Sequence, residues 1–117
     1  MERGDIYFID SGDPGAGQRP ALIIQSDDGT RRGNSAIMAM ITSQEKKEIA
    51  VNVFVHKSAR NGLKLDSCIM CNQLHTVKKD RLFKKIGRLS DSDMERVNYA
   101  LLISMALEPE YDLKAAQ

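Results

Sequence analysis

Residues 82–105 read LFKKIGRLSDSDMERVNYALLISM, and their reading decides the fold. Leu82 to Leu89 is a short, basic, β-prone run. Ser90 then stands three residues before Asp93, which resembles a capping box with a shortened acid. Beyond it Met94, Val97, Leu101 and Met105 recur at helical spacing, with Ala100 and Ser104 beside them. That spacing predicts one amphipathic helix of about four turns. No other segment carries a helical signal of comparable strength, so what precedes the helix is read as strands.

Upstream, residues 4–10 (GDIYFID) place Ile6, Tyr7, Phe8 and Ile9 between two aspartates and predict a strand. Residues 11–18 (SGDPGAGQ) are breakers and predict a hairpin loop. Arg19 to Gln25 predicts a second strand, with Pro20 at its start or at an edge because proline has no N–H to donate. Residues 26–35 (SDDGTRRGNS) read as a polar loop. Ala36 to Thr42 is wholly apolar up to its final residue and predicts a strand covered on both faces. A charged turn at 43–48 leads to a strand at 49–55. A loop with Asn61-Gly62 at its tip follows, then a strand from Ser67 to Val77 and a single turn at 78–81. Strands without βαβ alternation, closed by one helix, predict a mainly β fold: a small antiparallel barrel or half-barrel with a C-terminal helix.

The 117 residues predict one domain, 1–117, with residues 108–117 as a tail that lacks a pattern. A hydrophobic fraction of 42% supports a core, and 28% charged residues is ordinary for a water-soluble domain. No run reaches the roughly 18 apolar residues of a membrane span. Two cysteines are too few for a disulfide scaffold. The opening MERGD lacks an apolar signal-peptide core, so the expected location is the cytoplasm. A net charge of +1 argues at face value against a strongly basic nucleic-acid binder. The cations nevertheless cluster. Lys78, Lys79, Arg81, Lys84, Lys85 and Arg88 stand against a single Asp80 between 78 and 88. Such a stretch either tracks a phosphate backbone or keeps an edge strand from pairing with neighbours.

Cys68 and Cys71 form a C-x-x-C, but inside a strand residues i and i+3 point to opposite faces. They are read as small buried hydrophobes, and no metal site or cofactor is expected. His56 and His75 are the only histidines, and nothing in their spacing requires them to meet at one phosphate. Arg19 and Thr42 are more informative. Arg19 stands where a glycine-rich loop enters a strand, a suitable place for a guanidinium fork that grips phosphate oxygens. Thr42 ends an apolar strand, with its hydroxyl available to a ligand. The alternative is a surface ion pair for Arg19 and a turn role for Thr42.

Several blocks in order resemble the MazF/PemK (Kid) family of toxin endoribonucleases. Arg3-Gly4-Asp5-Ile6-Tyr7 is similar to that family's opening. Gln18 to Asp27 resembles its R-P block, and Ile41-Thr42-Ser43 its I-T block. Asp66-Ser67, Asn72 to Val77 and Ile86 to Ser90 resemble later blocks. The resemblance runs from Arg3 to about Leu107. It implies an SH3-like antiparallel β-barrel, an architecture shared with CcdB-type toxins, assembled as a homodimer. It implies metal-independent cleavage of single-stranded RNA, without a cofactor, and neutralisation by a cognate antitoxin. The catalytic pair it implies is Arg19 and Thr42, with Gln18, Ser43, Asn72 and Gln73 contacting RNA. Two departures stand out. The first loop lacks the family's usual glutamate, and His75 replaces an arginine. The competing functions for the same architecture are a gyrase-poisoning toxin and a non-catalytic SH3-like binding module.

Overall fold

The computed structural model describes residues 1–44, apart from Ser11, Asp13 and Ala16, and residues 51–107. Six strands form one sheet in the order β4-β5-β3-β2-β1-β6, and all five neighbouring pairs are antiparallel. The strands are β1 (Asp5–Asp10), β2 (Gln18–Ile23), β3 (Ser35–Thr42), β4 (Asn52–Val55), β5 (Ser67–Lys78) and β6 (Leu82–Arg88). Among the described residues there are two α-helices, α1 (Asp27–Arg32) and α2 (Asp91–Ser104), and a single 3-10 turn at Lys79–Arg81. The expected mainly β architecture with a C-terminal helix is what the chain adopts. No helix among the described residues is long and apolar enough to cross a membrane.

The apolar run of β3 sits third of six in the sheet and is covered on both faces from Met38 to Thr42, as its composition predicts, while Ile37 is exposed. Alternation divides it. Ala39 and Ile41 join Ile6, Leu22, Ile69 and the α2 residues Val97 and Ala100 in one cluster. Ala36, Met38 and Met40 join Ile9, Ala21, Ile23 and Val77 in a second. Each fully buried Ile or Leu here contributes on the order of 1.5–3 kcal/mol relative to exposure. The α2 stripe is shorter than its spacing predicts. Met94 and Leu101 pack against the first cluster, but Met105 follows the last helical turn and is exposed. The Ser90 hydroxyl accepts the Asp93 N–H at 3.2 Å, so the predicted cap forms. Pro20 pairs with Phe8 of β1, while the ladder to β3 begins only at Ala21. The strand is therefore one-sided where the proline needs it to be.

Residues 26–35, read as a loop, contain α1, which corrects that expectation. The Ser26 hydroxyl accepts the Gly29 N–H at 3.1 Å, and Asp27 and Asp28 fill the first turn with Arg31 and Arg32 in the last. These signals complement the helix dipole. Two glycines and one short turn hid them, because Thr30 is the one buried residue of the helix and leaves no apolar periodicity to read. The predicted strand at 49–55 is observed from Asn52, and Ile49 and Ala50 lie outside the described residues. The expectation of a tail at 108–117 also lies outside them.

The R-G-D opening serves the fold. Arg3 donates from Nε to the Ile24 carbonyl at 2.7 Å and from its backbone N–H to Asp27 Oδ1 at 2.7 Å. Gly4, at φ +98°, donates to Ile23 and accepts from Leu89. Asp5 is buried beneath Arg88 and Lys85.

Candidate active site

The β2–β3 register pairs Ala21 with Met40, Leu22 with Ala39 and Ile23 with Met38. Counted on by two residues, it sets Arg19 across from Thr42, just past the end of the ladder. Both line one pocket of about 320 Å³, together with Phe8, Pro20, Ser43 and Leu63. Two residues 23 positions apart in the sequence are thus brought together by strand pairing alone. Ile86, Gly62 and Lys64 form part of the facing wall.

Arg19 is half-buried and makes no side-chain hydrogen bond or ion pair among the described residues. The ion-pair alternative raised by the sequence therefore has no partner there. Thr42 is 8% exposed, and its Oγ1 accepts the Gln44 N–H at 3.2 Å. That bond fixes the side chain and leaves its hydroxyl hydrogen free to donate. A guanidinium and a positioned hydroxyl on neighbouring strands can hold a phosphate from two sides. No histidine or carboxylate is among the described residues that line this pocket.

The remaining residues expected to contact RNA are spread out. Ser43 lies in the same pocket. Gln18, exposed, lines a neighbouring concavity with Asp10 and Arg81. Asn72 and Gln73 are exposed on β5 and line neither. The β3–β5 register jumps there, from Ala39 opposite Leu74 to Met40 opposite Met70, so Cys71, Asn72 and Gln73 bulge out of the ladder. Bulges of this kind re-aim side chains. His75 lies beyond the bulge and shares a third recess with Lys78 and Arg81. His56 follows β4 and is 3.4 Å from Asp66 Oδ2. The two histidines sit at opposite ends of β5 and do not converge.

The wall made by residues 58–64 was not legible beforehand, although its Asn61-Gly62 tip was. Asn61 is 3% exposed. Its Oδ1 accepts the Ser58 and Leu63 N–H groups at 3.0 Å, and its Nδ2 donates to the His56 carbonyl at 2.8 Å. This amide ties the turn to itself, and the Arg88 N–H bond to the Arg60 carbonyl at 2.9 Å joins it to β6. Cys68 and Cys71 are both buried and unbridged. Burial pushes the Cys71 thiol up to about 11. In the basic stretch, Lys85 and Arg88 are held by Asp5 at 3.3 and 2.9 Å, so only part of it is free to meet an anion.

The sequence matches, over residues 2–105, the family described as PemK-like, MazF-like toxin of type II toxin-antitoxin system. It is 41% identical to Endoribonuclease EndoA of Bacillus subtilis (strain 168) over 112 residues, which cover 92% of this chain and 96% of that relative. It is 39% identical to Endoribonuclease MazF of Staphylococcus saprophyticus, covering 92% of each chain. Its fold matches a solved endoribonuclease in complex with its cognate antitoxin from a mycobacterial species, with a TM-score of 0.78 at 22% identity, over 92% of this chain and 97% of that one. The chain belongs to the PemK-like, MazF-like toxin family of type II toxin–antitoxin systems.

Proposed function

We propose that this protein is a toxin endoribonuclease that cuts single-stranded RNA at short preferred sequences, without a metal ion, with Arg19 and Thr42 at the scissile phosphate. The observation that carries this reading is the shared pocket of these two residues at the open end of the β2–β3 ladder. RNA brings its own nucleophile. The 2′-oxygen attacks phosphorus, the bond from phosphorus to the 5′-oxygen breaks, and the 2′-proton leaves to a base. The departing 5′-oxygen takes up a proton. The products are a 2′,3′-cyclic phosphate and a 5′-hydroxyl.

Such a step needs in-line alignment and stabilisation of charge on the phosphorane oxygens. Arg19 supplies the charge and a proton donor near the leaving oxygen. Thr42 donates its free hydroxyl hydrogen to a phosphate oxygen. Arginine, with a pKa above about 12, is a poor base, and we leave the base unassigned. Ser43, Gln18, Asn72 and Gln73 are assigned to flanking nucleotides. The family supports a cognate antitoxin as the natural inhibitor, a homodimer as the working form and the cytoplasm as the location.

The test is cleavage of a long single-stranded RNA by the purified protein in EDTA, with Arg19→Ala in parallel. We expect fragments with 5′-hydroxyl ends from the wild type and none from the variant. Intact RNA, or cleavage indifferent to Arg19→Ala, sinks the proposal. Growth arrest with intact RNA and broken DNA indicates a gyrase poison instead.

A further inference from the structure

Edge strand β6 departs from regular pairing at an aromatic residue. Phe8 pairs with Lys84 and Ile9 with Leu82, so Phe83 is the extra residue of a bulge. Its ring belongs to neither core cluster and is 51% exposed. An exposed phenylalanine on an edge strand invites unwanted pairing and association, which natural edges avoid. The ring faces a concavity that it shares with Gln18 and Arg81. Arg81 also borders the adjoining recess with Lys78. Neither cation is in an ion pair among the described residues, and Lys84 follows the ring directly. Two acids are near: Asp10, whose Oδ1 accepts the Gly12 N–H at 2.9 Å, and Asp80, which is exposed.

An aromatic face among unpaired cations is what binds single-stranded nucleic acid, the ring stacking on a base while the cations track the backbone. Among the described residues the other exposed phenylalanine or tyrosine is Tyr99, which lies on α2 between Glu95 and Ile103, away from the basic stretch. Position joins Phe83 to the reaction centre. Arg19 pairs with Ile9, and Ile9 with Leu82, so the bulge is two strand spacings, about 10 Å, from Arg19. Gln18, next to Arg19 on β2, lines the same concavity as Phe83.

We propose that Phe83 is a base-stacking platform for a nucleotide flanking the cut, with Arg81 and Lys78 holding the adjoining phosphates. This rests on the ribonuclease reading and deepens it by naming a specificity-determining residue outside the pocket. The experiment measures RNA cleavage by wild type, Phe83→Ala, Phe83→Leu and Phe83→Tyr. Loss of stacking by Phe83→Ala is expected to raise KM by about 5- to 100-fold, more than it lowers kcat. Phe83→Leu should resemble Phe83→Ala, and Phe83→Tyr should resemble wild type. The chain has no tryptophan. Phe83→Trp in an Arg19→Ala background is therefore a unique fluorophore, and its emission should be quenched as uncut RNA is added.

A wild type that cleaves while Phe83→Ala keeps its KM overturns the platform alone, whereas a wild type that leaves RNA intact overturns the ribonuclease reading. Phe83→Leu matching wild type shows an apolar filler and overturns the platform. So does tryptophan emission that RNA leaves unchanged, or loss of antitoxin binding with KM unmoved. If Phe83→Ala fails to fold, the Leu and Tyr variants decide.

Discussion

Arg88 Nη1 lies 2.9 Å from Asp5 Oδ1, directly across the β1–β6 ladder. The carboxylate is 1% exposed and also receives Lys85 Nζ at 3.3 Å and the Glu2 N–H at 2.8 Å. The pair joins the first strand to the last and fastens the start of the chain beside the start of α2. It also withdraws two of the cations that the sequence offered as a phosphate track.

The Asp5 cluster ties acid stability to a buried carboxyl. Burial by itself raises its pKa, but the Glu2 N–H, Arg88 and Lys85 outweigh burial and hold it below the ordinary carboxylate value. A folded-state pKa below the unfolded one stabilises above about pH 4, and this is lost as pH falls through the folded value. Asp66, lowered mainly by the Lys57 N–H, acts in the same direction. Asp5→Asn should cost about 2 kcal/mol at pH 7, as charged hydrogen bonds are lost. Urea unfolding at pH 7 and pH 3 checks this, and the gap between variant and wild type should narrow at pH 3.

Arg19→Ala should lower kcat by about 10²- to 10³-fold, the usual effect of removing one preorganised charge donor. Its stability should stay within about 0.5 kcal/mol of wild type, since Arg19 has no hydrogen bond to lose among the described residues. Thr42→Val keeps the shape but removes both the hydrogen bond to substrate and the one from the Gln44 N–H, and should lower the rate by about tenfold. Single-turnover cleavage paired with thermal melts separates these effects from misfolding.

Gly62 has φ +70°, and a Cβ there would run into the Ile86 carbonyl. A Cβ at Gly87 would meet the backbone of Arg60 and Asn61. The turn and β6 are in backbone contact, joined by the Arg88 N–H to Arg60 carbonyl bond at 2.9 Å. Gly62→Ala should therefore cost at least about 1–3 kcal/mol from backbone strain alone. Because Gly62 and Ile86 both wall the Arg19 pocket, activity should fall even where the protein stays folded. Chemical denaturation and cleavage rates on one preparation check both outcomes.

Cys71 should resist alkylation in the native state. Its thiol is buried and pushed up to about 11, so little thiolate exists at pH 8. Iodoacetamide followed by mass spectrometry should label it only after denaturant is added. Labelling at the rate of an unfolded control would contradict the packed core around Ile69 and Val97.

The strands and the closing helix were legible in the sequence alone, and the family resemblance singled out Arg19 and Thr42. Alternation, breakers and caps are local signals, and Ser90, Val97 and the β3 run each carry one. It did not display α1, whose cap at Ser26 and single buried contact at Thr30 make a signal too short for periodicity to register. Only the tertiary structure decided the site. Register set Arg19 opposite Thr42, the Asn61-Gly62 turn docked on β6 to wall the pocket, and two bulges turned Asn72, Gln73 and Phe83 outward. It also decided which cations remain available, because Asp5 claims Lys85 and Arg88, which lie 80 and 83 positions later in the sequence. The physical reason is common to all of these. Pairing register, bulge placement and the burial of a charge depend on partners far away in the chain, and no local pattern encodes where those partners arrive.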